Sequence, residues 1–71
     1  MRLLFIGYHD VGEREQELIE VLGNALGAEG TTVITSPRGA ANEAIIRGVE
    51  RVDGEVIKRN GGQDGLRLLL D

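Results

Sequence analysis

The stretch Thr31-Thr32-Val33-Ile34-Thr35-Ser36-Pro37-Arg38-Gly39-Ala40-Ala41-Asn42-Glu43-Ala44-Ile45-Ile46-Arg47-Gly48-Val49 changes character halfway along. Thr31 to Thr35 are β-branched throughout, and the restricted χ1 of such side chains favours an extended chain over a helix. Ser36-Pro37-Arg38-Gly39 then breaks the strand. Beyond the break, Ala41, Ala44, Ile45, Gly48, Val49 and Val52 recur at helical spacing, while Arg47, Glu50 and Arg51 fall on the wet side. The segment therefore predicts a strand, a short loop and an amphipathic helix.

The same alternation extends in both directions. Leu3-Leu4-Phe5-Ile6 is an unbroken apolar run ending in Gly7, which suits a parallel strand buried on both faces. After the loop Gly7-Tyr8-His9, Asp10 and Glu13 stand at capping-box spacing and predict a helix start with Asp10 as N-cap. Leu18, Leu22, Ala25 and Leu26, with Ile19 and Val21, form the expected buried stripe of this helix, and Glu13, Arg14, Glu17, Glu20 and Asn24 the outer face. Gly27 and Gly30 are the candidate stops. Downstream, the second helix is expected to end near Asp53-Gly54, Glu55 to Arg59 reads as a third strand, and Asn60-Gly61-Gly62 closes it. The tail Leu66-Arg67-Leu68-Leu69-Leu70 fits either a strand or a short helix.

This order gives an α/β fold: a small Rossmann-like βαβαβ unit with a three-stranded parallel sheet and right-handed crossovers. Residues 1–71 read as one domain, with a core over 2–59 and a tail over 60–71. Helices are expected near 11–28 and 40–53. With the strands in the order 3-2-1, both helices lie on one face of the sheet. The other face then needs a cover, either the leucine-rich tail or a second copy of the chain. Because strand one and Leu66 to Leu70 offer more apolar surface than two short helices can cover, a homo-oligomer, most simply a homodimer, is expected.

Composition narrows the function classes. The chain has no cysteine and one histidine, so neither a disulfide nor a zinc site can be assembled, and no metal or cofactor is implied. Twelve acidic against eight basic residues give a net charge of −4, and residues 10 to 20 alone account for that sum. An acidic chain without a basic stripe argues against nonspecific nucleic-acid binding, which depends on releasing phosphate counterions. No apolar run has the length of a secretory h-region or a membrane span, so a cytoplasmic protein without membrane contact is expected.

In an open parallel sheet, ligands lie outside the carboxyl ends of the strands. The first loop there, Gly7-Tyr8-His9-Asp10-Val11-Gly12, leads into a helix N-terminus whose dipole favours an anion, although its glycine spacing serves a simple turn equally well. His9 and Tyr8 are candidate ligand contacts, and both also fit a solvated turn. In the second loop, Ser36 supplies a hydroxyl, Arg38 a fork of donors for phosphate or carboxylate, and Gly39 room for close backbone approach, with Asn42 on the helix beyond. The other reading of this loop is a capped helix start with a solvated arginine. Glu43 is accounted for by the helix dipole alone. No catalytic set can be assembled from these residues, so catalytic residues stay unassigned.

The run Val33 to Val49 quoted above, preceded by Leu4-Phe5-Ile6-Gly7-Tyr8, resembles the SLOG superfamily. This group includes the lysine-decarboxylase-like phosphoribohydrolases, the DNA-processing protein A fold and nucleotide-sensing domains of bacterial defence effectors. Arg38-Gly39-Ala40 and Arg47-Gly48-Val49 carry the resemblance, which spans about residues 3 to 57 and so only the N-terminal half of that fold. Two departures qualify it. Ser36-Pro37 stands where the family commonly has glycines, and the Pro-Gly-Gly-x-Gly-Thr-x-x-Glu motif that carries the catalytic glutamate of the phosphoribohydrolases is absent. The resemblance implies a module that binds a nucleotide or ribose phosphate at Gly7, Tyr8, His9, Ser36, Arg38, Gly39 and Asn42, without complete catalytic machinery. Two alternatives stand beside it: a homo-oligomeric assembly subunit, and an N-glycosidic hydrolase whose site is completed across an oligomer.

Overall fold

The computed structural model describes residues 1–7, 11–59 and 62–70. Six elements follow in chain order: β1 (Arg2–Phe5), α1 (Glu13–Ala28), β2 (Thr32–Thr35), α2 (Ala40–Arg51), β3 (Val56–Lys58) and α3 (Gly62–Leu70). The strands form one parallel sheet in the order β1-β2-β3, with Leu4 opposite Ile34 and Ile34 opposite Ile57. The chain is thus a small Rossmann-like α/β unit, as the alternating pattern predicts.

Because side chains alternate across a strand, β2 serves both faces. Val33 packs with Ile45 and Val49 of α2, joined by Phe5, Ile19, Leu26 and Val56. Ile34 is also fully buried, with α3 beside it. Gly65 lies so close to the sheet there that a Cβ would meet Leu4 Cδ1 at 2.6 Å and Ile34 Cγ2 at 3.5 Å. The tail is therefore a helix that covers β1 and β2 of its own chain. The cover that the second face requires comes from within, so the sheet itself supplies no argument for an oligomer.

Helix α2 buries Ala41, Ala44, Ile45, Gly48 and Val49 as its periodicity predicts, and leaves Arg47, Glu50 and Arg51 outside. It is shorter than expected, with Val52 as C-cap and Val52 37% exposed.

Helix α1 departs from its sequence pattern. Leu18, Val21, Leu22 and Ala25 are exposed, while Gln16, Ile19, Glu20, Gly23, Asn24, Leu26 and Gly27 face inward to varying degrees. The cause is the crossing with α2. A Cβ on Gly23 would stand 2.6 Å from the Ile45 carbonyl oxygen and 2.9 Å from the Val49 nitrogen, and one on Gly48 would collide with the Glu20 carbonyl. The helix backbones meet at these glycines, closer than any pair of leucines permits. With Gly23 turned inward, Ile19 and Leu26 flank it in the core, and Glu20 is carried to the seam. There its carboxylate takes Arg51 Nη2 at 2.7 Å and Arg47 Nε at 3.5 Å, and Arg47 Nη2 donates to Gln16 Oε1 at 3.4 Å.

The ends of α1 also differ from expectation. Its N-cap position is Gly12 in extended conformation, two residues beyond the Asp10 that the capping-box spacing suggested, and Asp10 itself lies outside the described residues. Gly27 lies within the helix, and the stop is Gly30 at φ +81°. There Thr31 N donates to Leu26 O and Gly30 N to Gly27 O, the hydrogen-bond pair of a Schellman ending. Among the described residues, no helix is long and apolar enough to cross a membrane.

Candidate functional site

Parallel strands bring the residues that follow them to one edge of the sheet. Gly7 comes shortly after β1, Ser36 directly after β2 and Arg59 directly after β3. Arg59 N donates to Thr35 O at 2.9 Å, continuing the β2–β3 ladder by one residue. A cavity of about 260 Å³ opens at this edge. Leu4, Phe5, Ile6, Ile34 and Gly65 provide its apolar lining, and Gly7, Thr35, Ser36, Arg38, Asn42 and Arg59 the polar part.

Asn42 is the organising residue. It is 3% exposed and sits in the first turn of α2. Its Oδ1 accepts from Gly7 N at 2.9 Å, and its Nδ2 donates to Arg38 O at 2.7 Å. One side-chain amide thus ties the end of β1 to the loop after β2, using both its acceptor and its donor. The tie requires β1 to run close against α2, and Gly7 permits this: a Cβ there would lie 2.6 Å from Ala41 Cβ and 3.2 Å from Asn42 Oδ1. Asn42→Ala leaves two part-buried backbone groups unpaired, and unfolding in urea should show a loss of about 1–3 kcal/mol. Unchanged stability would mean that water replaces the amide without penalty.

Gly39 is the N-cap of α2 at φ +101° and ψ 143°, a conformation open to glycine and strained for other residues. Among the described residues no side chain caps this helix end, so its first N–H groups have no carboxylate or hydroxyl from them. Ser36 Oγ accepts from Arg38 N at a long 3.4 Å, which leaves the hydroxyl proton available to a ligand. Arg38 is exposed, and it forms no ion pair among the described residues. Thr35 Oγ1 is buried with no hydrogen-bond partner among the described residues.

Of the residues expected at the site, Gly7, Ser36, Arg38 and Asn42 line the cavity, and Gly39 stands between Arg38 and the helix they lead into. Tyr8 and His9 lie outside the described residues. Sequence reasoning missed Arg59, whose place follows only once β3 is known to lie beside β2. It also missed Gly65, brought in by the folding of the tail. A second depression, lined by Pro37, Glu43, Ile46, Arg47 and Lys58, lies along α2 and mixes acid with base. Two arginines and a hydroxyl line the strand-end cavity, whereas the depression along α2 sets Glu43 beside Arg47 and Lys58.

Comparison with protein-family models, with curated proteins and with solved structures finds no match. The protein is a small Rossmann-like α/β unit with two arginines lining a cavity outside the carboxyl ends of its three strands.

Proposed function

We propose that the chain is a binding module for a small phosphorylated ligand, a ribose phosphate or mononucleotide, held at the strand-end cavity. The observation that carries this reading is the convergence of Arg38 and Arg59, from different loops, on one cavity of an otherwise acidic chain. Arginine forks and helix N–H groups suit phosphate oxygens, and the apolar lining suits the face of a sugar or base. The SLOG resemblance narrows the anion to a ribose phosphate or nucleotide. At about 260 Å³ the cavity lies just below the range of roughly 300–1,000 Å³ usual for drug-sized ligands. That size suits one phosphorylated unit.

The described polar lining, Arg38, Arg59 and Ser36, is suited to recognising an anion, and this is what favours the binding reading over N-glycosidic hydrolysis. Hydrolysis would need an acid or base to act on the glycosidic bond. Differential scanning fluorimetry with ribose 5-phosphate, the nucleoside monophosphates and inorganic phosphate tests the reading. A ligand that binds only the folded chain raises the melting temperature by mass action. A rise with a phosphorylated ribose that exceeds the rise with phosphate is expected. No rise with any member of the panel would refute the proposal.

A further inference from the structure

The outward face of α1 has no role in the cavity, and its composition is not that of a solvated surface. Leu18 is 66% exposed, Val21 62% and Leu22 44%, and Ala25 continues the same face. Their spacing of three and four residues makes one continuous apolar stripe. The glycine crossing with α2 satisfies the inward face of the helix, and nothing among the described residues covers this one.

We propose that this stripe is a homodimer interface in which α1 of one copy packs antiparallel against α1 of a second copy. The charges at its ends select this occupant. Arg14 stands in the first turn of α1 and Glu29 at its C-cap, each at the end of the helix dipole that its charge disfavours. The last turn of α1 contains no base of its own. Beside an antiparallel copy both mismatches are corrected: Arg14 comes to the C-terminal end of the other helix, and Glu29 to the N-terminal end.

The spacing fits a two-fold axis. Arg14 and Glu29 each lie seven residues from the central pair Val21-Leu22, on opposite sides, and Leu18 and Ala25 each lie three residues from it. A two-fold axis through that pair puts Arg14 level with Glu29 of the second copy, and a large Leu18 level with a small Ala25. This is the self-complementarity that an isologous interface needs. Arg14 and Glu29 form no ion pair within the described chain. One helix face is a small interface, so the dimer is concentration-dependent.

Sedimentation equilibrium of the full chain over a wide concentration range, with circular dichroism to confirm folding, tests the proposal. The wild type should approach twice its 7.7 kDa mass as concentration rises. Leu22→Glu should stay folded and monomeric, because the position is exposed in the single chain. Arg14→Glu and Glu29→Arg should each weaken association by about tenfold, since each removes two pairs per dimer. The combined variant Arg14→Glu/Glu29→Arg should recover most of that loss. Leu70→Glu, on α3, should have no effect. A monomer at millimolar concentration, a dimer that survives Leu22→Glu, or a combined swap as weak as the single ones would each overturn the proposal.

Discussion

Gly48→Ala is expected to lower the melting temperature by about 10–20 °C, corresponding to a loss of about 2–3 kcal/mol in a domain of this size. Helix propensity alone predicts the opposite sign, because alanine in a helix interior is favoured over glycine by about 1 kcal/mol. The clash wins because of what the new methyl would meet. Its obstacle is the Glu20 carbonyl, which is helix backbone and cannot rotate away as a side chain would. The helices must separate, and separation loosens Ile19 and Leu26 from Ile45 and Val49 as well as the Glu20 contacts with Arg47 and Arg51. For comparison, Gly12→Ser is expected to be neutral or to stabilise by a few tenths of a kcal/mol. Gly12 is an extended N-cap whose Cβ would meet, among the described residues, only the movable Glu15 carboxylate. Thermal unfolding of the two variants side by side checks both. A Gly48→Ala protein as stable as wild type would mean that the two helices do not cross at this point.

Arg38→Ala is expected to weaken binding of the phosphorylated ligand by about 10- to 100-fold, from the loss of a charge-assisted contact of about 1.5–3 kcal/mol. Fold stability should barely change, because Arg38 is exposed and only its backbone carbonyl serves the Asn42 tie. Arg59→Ala should act in the same direction, and the double variant should abolish measurable binding. Asn42→Asp offers a separate check. It keeps an acceptor for Gly7 N but loses the donor to Arg38 O and places a buried carboxylate at the cavity wall, so stability and affinity should both fall, and affinity is read where circular dichroism shows the variant folded. Calorimetric titration with the ligand that scores in the fluorimetry panel measures each case. Wild-type affinity in Arg38→Ala would remove that residue from the site.

The strands and α2 were legible because each has a strong local cause. Thr31 to Thr35 is β-branched throughout, Leu3 to Ile6 has no polar interruption, and the α2 stripe survives folding almost residue for residue. The orientation of α1 was not legible from hydropathy, which scores Leu18, Val21 and Leu22 above Gly23 and Gly27. What decides the contact is the absence of side chains, and the available signal was the four-residue spacing of Gly23 and Gly27 together with Gly48. The tail was ambiguous because five residues with one base carry no clear period. Only its docking, with Gly65 against Leu4, distinguishes a helix from a strand. At the site, Gly7, Ser36 and Arg38 follow from the rule that parallel strands present ligands at their carboxyl ends. Arg59 needs the strand order as well, and the bridging role of Asn42 needs its approach to Gly7, 35 residues away in the chain.

The central claim is that a phosphorylated ligand binds at the strand-end cavity, and amide chemical-shift mapping of the isotopically labelled chain during titration with ribose 5-phosphate and a nucleoside monophosphate tests it most directly. The account predicts saturable shifts concentrated at Gly7, Ser36, Arg38, Gly39, Asn42 and Arg59, with the outer face of α1 unmoved. Shifts confined to the depression around Glu43, Ile46 and Arg47, or no saturable shift with either ligand, would contradict it.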